Sequence, residues 1–136
     1  MDISDILKHI NILLVDDDTW IKDSLTMFFE REGGTLAVCE TAEEGMEALK
    51  DGDYRMVIAE NLLPGMSGLE FLRRVRDSYP HILTMLITAY EVQPVLSGEI
   101  GSSVDAVIAK PFHAGTLRLS LTRLLTRGSG GAEDEE

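Results

Sequence analysis

Five short apolar runs recur along the chain, separated by longer stretches in which apolar positions return every three or four residues. Residues 10–15 (INILLV) are almost continuously aliphatic, and residues 36–39, 56–59, 82–87 (ILTMLI) and 104–109 repeat the theme. Runs of this length between polar turns predict strands. The intervening segments predict helices. One starts at Thr19, carries Ile21, Leu25, Phe28 and Phe29 at helical spacing, and stops at Gly33-Gly34. Thr41 with Glu44 three residues on is a capping-box pattern that opens a second helix, to about Lys50. Residues 68–78 turn Leu69, Leu72 and Val75 inward and are closed by Pro80, and residues 114–125 (AGTLRLSLTRLL) form the last helix. The segment 92–100 is poorly helical, with Pro94 and Gly98 inside it, and the first ten residues can add one helical turn.

Strands that alternate with helices imply right-handed crossovers and a parallel sheet covered on both faces. Aliphatic runs without polar alternation suit central strands buried on both sides. In such open α/β sheets ligands gather at the carboxyl ends of the strands. Those ends are unusually polar here. The first strand leads into Asp16 and Asp17, the third into Glu60, the fourth into Thr88 and the fifth into Lys110. Taken singly, an acid before a helix, a threonine at a strand end or a lysine on a surface needs no function. Together they place carboxylates, a hydroxyl and an ammonium on one rim. Crowded carboxylates repel unless a hard cation such as Mg²⁺ (or Mn²⁺) lies among them. A cation with an ammonium opposite can neutralise the oxygens of a phosphoryl group. The residues alone therefore suggest an acidic, phosphoryl-accepting pocket.

Composition narrows the field. The chain has 136 residues, 44% hydrophobic and 26% charged, enough for one domain with a real core. Its net charge is −12, and without residues 127–136 the remainder still sets 11 bases against 20 acids. Direct nucleic-acid binding is disfavoured by that balance, whereas a cation or a basic partner suits it. The single cysteine, Cys39, reads as a small buried residue in a reducing compartment, and the acidic start MDISDILKHI does not resemble an export signal. No apolar run is long enough to span a membrane. A cytoplasmic protein is expected. Residues 1–9 read as an N-terminal extension, 10–126 as the folded domain, and 127–136 (RGSGGAEDEE) as a flexible tail or linker.

ILLVDDD (12–18), LLPGMSGLEFL (62–72), LITAY (86–90) and AKPF (109–112), in this order and spacing, resemble the receiver domains of bacterial two-component response regulators. The resemblance covers essentially all of residues 10–126. It implies a flavodoxin-like (βα)5 fold with strand order 2-1-3-4-5, and a signalling switch rather than a metabolic enzyme. It also implies roles for individual residues. Asp16 and Asp17 hold Mg²⁺ together with the residue at Glu60 and the backbone carbonyl of Leu62. Thr88 follows the phosphoryl group, Lys110 pairs with the acceptor carboxylate, and Lys110-Pro111 is a cis peptide. Implied partners are a sensor histidine kinase or phosphotransfer protein, an output domain or effector protein, and a second copy through the 92–101, 104–109 and 114–125 face.

Two positions depart from the family. The phosphoacceptor aspartate is replaced by Glu60, and the aromatic switch position by Val107. Glutamate keeps the charge but pushes the carboxylate outward by up to about 1.5 Å, a displacement that can slow transfer by about two orders of magnitude. Asn61 has no carboxylate with which to replace it. Glu60 is then a partial mimic of phosphoaspartate, part of a pseudo-receiver that binds partners without phosphorylation, or a replacement of a native aspartate that imitates activation. Intact Asp16, Asp17, Thr88 and Lys110 favour the first or the last. With no ring at Val107, any switch is expected to work through Thr88, the loop after it and residues 92–101; Tyr90 reads first as an exposed surface residue and second as a substitute aromatic.

Other classes fit less well. A small Mg²⁺-dependent phosphatase or phosphotransferase could use Asp16 and Asp17, but nothing supplies a cap over a substrate. A flavin carrier of this topology would need a phosphate-cradling loop after the first strand. His9, His81 and His113 are scattered over different segments, Trp20 reads as helix packing, and most leucines of 114–125 read as core, any left exposed forming a dimer or partner patch.

Overall fold

The computed structural model describes residues 2–89 and 103–127. Five parallel strands, β1 (Asn11–Val15), β2 (Thr35–Cys39), β3 (Met56–Glu60), β4 (Leu83–Ala89) and β5 (Ala106–Lys110), form one sheet in the order β2-β1-β3-β4-β5. The flavodoxin-like order expected from the sequence is therefore the observed one. Around the sheet lie α1 (Ile3–Leu7), α2 (Thr19–Arg31), α3 (Ala42–Asp51), α4 (Gly68–Ser78) and α5 (Ala114–Arg127).

Alternation along the strands divides the interior in two. Ile12, Leu14, Ile58, Met85, Ile87 and Ile108 face α1, α2 and α5, against Leu25, Phe29, Leu117 and Leu121. Leu13, Val15, Val57, Ala59 and Leu86 face α3 and α4, against Leu49, Phe71, Leu72 and Val75. Each large side chain so buried stabilises the fold by about 1.5–3 kcal/mol. Register then levels the strand ends. Val15 pairs with Ala59, Glu60 with Ile87, Thr88 with Ala109 and Ala89 with Lys110, which brings the polar ends of β1, β3, β4 and β5 to one rim.

Helix ends follow local chemistry. Asp18 caps α2 by accepting from the Trp20 and Ile21 N–H groups at 2.9 and 3.3 Å. After α2, Gly33 adopts φ 81°, the left-handed region open to glycine. Thr41 Oγ1 accepts from Glu44 N–H at 3.1 Å, but the Glu44 carboxylate reaches back to the N–H of Glu40, one residue earlier than a reciprocal box requires. The helical turn in the first ten residues exists, with Ile3 and Leu7 buried against α5.

A second, partly buried polar cluster lies at the amino ends of β4 and β5. Asp105 Oδ2 accepts from Thr84 N–H at 2.9 Å and from Thr84 Oγ1 at 3.2 Å, and its Oδ1 accepts from Arg76 of α4 at 2.8 Å. Arg73 of α4 donates to Ser103 Oγ at 3.2 Å.

Some expectations shift. β4 runs two residues beyond 87, so Thr88 belongs to the strand. Trp20 is 66% exposed rather than packed, because it lies on the outer side of the first turn of α2. Cys39 is half-buried, since β2 is an edge strand. His9 and His81 share a surface pocket with Asp53 and Arg55. Of the α5 leucines, 117, 121, 124 and 125 are buried and Leu119 is exposed. The helix expected over 92–100, Tyr90, the tail and the 92–101 part of the expected dimer face lie outside the described residues.

Candidate functional site

The rim of the sheet joins four charged groups. Asp16 follows β1 and is fully buried; its Oδ1 accepts from Asp18 N–H at 2.9 Å. Its Oδ2 is buried with no hydrogen-bond partner. Burial, above all, pushes the Asp16 carboxyl up to about 6; the Asp18 N–H opposes this and the Glu60 charge adds to it.

Glu60 ends β3, buried beside it. Its Oε2 accepts from Leu62 N–H at 3.0 Å, and its Oε1 lies in a close charge contact with the ammonium of Lys110. Lys110, the last residue of β5, also lies 3.9 Å from Asp18 Oδ2. Partial burial pulls the lysine down, but contact with Glu60 and the charges of Glu60, Asp16 and Asp18 outweigh it and hold the ammonium above its ordinary range. Thr88 is buried one residue beyond Ile87, the ladder partner of Glu60. The Lys110-Pro111 peptide is cis.

Asp17 is exposed at the mouth of the rim, and Leu62 is 73% exposed over it. Among the described residues, no three His, Cys, Asp or Glu side chains stand ready as a metal cage. The reason is local: Lys110 occupies the flank of Glu60 and Asp17 turns toward solvent. The donor set nevertheless fits a hard divalent cation. A buried carboxylate oxygen without a partner, beside a second buried carboxylate, is the environment in which such an ion relieves both desolvation and repulsion.

Asp18 and Asn61 were missed as contributors. Asp18 read as part of an acidic run, yet it both caps α2 and approaches Lys110. Asn61 accepts through Oδ1 from Leu69 N–H at 3.2 Å, a long-range cap that no local spacing rule announces. The sequence marks Gly68 only as the first residue of the helix over 68–78. A Cβ there would lie 2.0 Å from the Glu60 carbonyl oxygen, so α4 starts in direct backbone contact with the end of β3.

With this geometry in place, the family can be assigned. Residues 12–122 match the family model for the response regulator receiver domain. The chain belongs to this family. A transcriptional regulatory protein of Bacillus subtilis (strain 168), YkoG, is 30% identical over 91% of this receiver and 54% of its own length. ResD of the same organism is 29% identical over 87% of the chain and 49% of its own length. This receiver thus spans about half of these two relatives. Among solved structures, the CheY-like receiver domain protein of Methanospirillum hungatei JF-1 is 27% identical with a TM-score of 0.79, covering 89% of this chain and 97% of that one.

The receiver is a switch module of two-component signalling, a class whose members interact with histidine kinases and output domains and generally bind Mg²⁺ in an acidic pocket. No helix among its described residues is long and apolar enough to cross a membrane.

Proposed function

We propose that this receiver signals through protein interaction with Glu60 as a resident anion in the phosphoacceptor position and a poor acceptor itself. One observation carries the reading: both Glu60 oxygens are already engaged, Oε1 by Lys110 and Oε2 by Leu62 N–H. Each contact takes up one lone pair of its oxygen and draws charge from it, which lowers the nucleophilicity of the carboxylate. The extra methylene also displaces it from the alignment an aspartate would reach. Its one charge and two oxygens imitate a phosphoryl group only in part, since the latter brings about −1.5 to −2 charges and three acceptor oxygens.

Asp16, Asp17, Glu60 and the Leu62 carbonyl would hold Mg²⁺ or Mn²⁺, which supplies charge neutralisation at the rim. Lys110 fixes Glu60 from the opposite side, and Thr88 offers a hydroxyl behind them. Residues 10–126 act as the receiver unit, and residues 127–136 suit a linker or tail. The reading places the protein in the cytoplasm, with a kinase or phosphotransfer protein and an effector as partners.

The test compares the protein with Glu60→Asp. Both are incubated with Mg²⁺ and a small-molecule phosphodonor and weighed intact. The Asp variant should gain one phosphoryl group at a rate about 100-fold above the parent. Equal rates would refute the proposal.

A further inference from the structure

The first N–H groups of an α-helix have no carbonyl partner inside the helix. In α4, Glu70 N–H is met by Ser67 Oγ at 3.1 Å, an ordinary N-cap. The two before it are met from much farther away. Gly68 N–H donates to the Asn61 carbonyl at 2.8 Å, and Leu69 N–H to Asn61 Oδ1 at 3.2 Å. Asn61 also donates its own N–H to the Ile87 carbonyl at 2.8 Å, continuing the ladder between β3 and β4 past Glu60. One residue thus ties the sheet to the start of α4 and closes the intervening loop, 62–67, on itself. Leu63 N–H joins the same carbonyl at 3.2 Å.

That loop carries Leu62, whose N–H holds Glu60 Oε2. We infer that Asn61 is a positioning residue of the site: its backbone and side chain set where the Leu62 peptide stands relative to the Glu60 carboxylate. A cap serving only α4 would need no such reach, because Ser67 is already in place. The side chain must be short and must end in an acceptor. Leucine has a similar shape without the oxygen, aspartate keeps the oxygen, and glutamine would place it about 1.5 Å too far. The importance of this position for a cation rests on the reading of Asp16, Glu60 and Leu62 given above; its importance for the Leu62 peptide does not.

Asn61→Leu and Asn61→Asp are compared with the parent in two measurements. The first is amide hydrogen exchange by NMR at Leu62, Leu69, Leu13 and Val57. The second is the affinity for Mn²⁺, read from the free-ion electron paramagnetic resonance signal. Asn61→Leu should raise exchange roughly tenfold at both Leu62 and Leu69, leave Leu13 and Val57 unchanged, and weaken Mn²⁺ several-fold. Asn61→Asp should restore protection at both amides. Faster exchange at Leu69 alone would reduce Asn61 to a helix cap, and equal acceleration at all four amides would reduce it to general stability. Either result overturns the inference. If the parent takes up no Mn²⁺, the cation reading falls, while exchange at Leu62 still decides the role of Asn61.

Discussion

At the amino ends of β4 and β5, the Asp105 carboxylate is matched by its donors: two from Thr84 and one from Arg76. At the carboxyl ends of the same sheet, Asp18 and Glu60 approach the ammonium of Lys110, Asp16 feels its charge, and Asp16 Oδ2 has no hydrogen-bond partner. Both clusters are partly buried and both contain acids and a base. The difference lies in balance. A buried carboxylate whose oxygens are all met is part of the architecture, whereas one left short of donors costs stability and persists where a ligand can complete it.

The widest break in this contrast should come where the rim meets α4 backbone to backbone. Gly68→Ala places a Cβ 2.0 Å from the Glu60 carbonyl oxygen, so the loop or the helix must move. A loss of at least about 3 kcal/mol in urea unfolding is expected, together with loss of the Glu60 to Leu62 hydrogen bond. A loss below about 1 kcal/mol would mean that the contact yields easily. Next in size, Asp105→Ala leaves the Arg76 guanidinium and two Thr84 donors without this carboxylate, and should cost about 2 kcal/mol. A near-neutral result would remove the distinction between the two ends of the sheet.

A third change, comparable in size to the second, should carry the opposite sign. The native Asp16 carboxyl holds its proton up to about pH 6, whereas the unfolded chain releases it near 3.8. Ionised Asp16 therefore weighs against the fold above pH 6, and that penalty fades as pH falls from 6 toward 4. Asn keeps the acceptor for Asp18 N–H and drops the charge. Asp16→Asn is expected to gain on the order of 1–3 kcal/mol at pH 7.5 and little near pH 4. Urea unfolding at the two pH values measures this, and destabilisation at pH 7.5 would contradict it. Added Mg²⁺ should stabilise the parent and not the variant.

The strands were legible because their aliphatic runs meet the condition for burial on both faces, as in Leu13 and Leu14, which face opposite layers. Asp16, Glu60, Thr88 and Lys110 were legible because topology alone sends the carboxyl ends of parallel strands to one rim. Trp20 was misread: a large aromatic in the first turn of a helix suggests packing, but the inward face of α2 is already taken by Ile21, Leu25 and Phe29. Asn61 escaped because its partner lies eight residues on, beyond any capping pattern. The Asp105 cluster escaped because it joins β4, β5 and α4, and side chains far apart in sequence meet only once the sheet is assembled.

α4 touches both clusters. Its first turn hangs from Asn61 at the rim, and its Arg73 and Arg76 are bonded to Ser103 and Asp105 where the chain enters β5. Eleven residues of helix make a strut about 16 Å long. Like a tie-rod between two brackets, it lets neither end shift alone: whatever displaces the loop over Glu60 must also load the anchorage of β5.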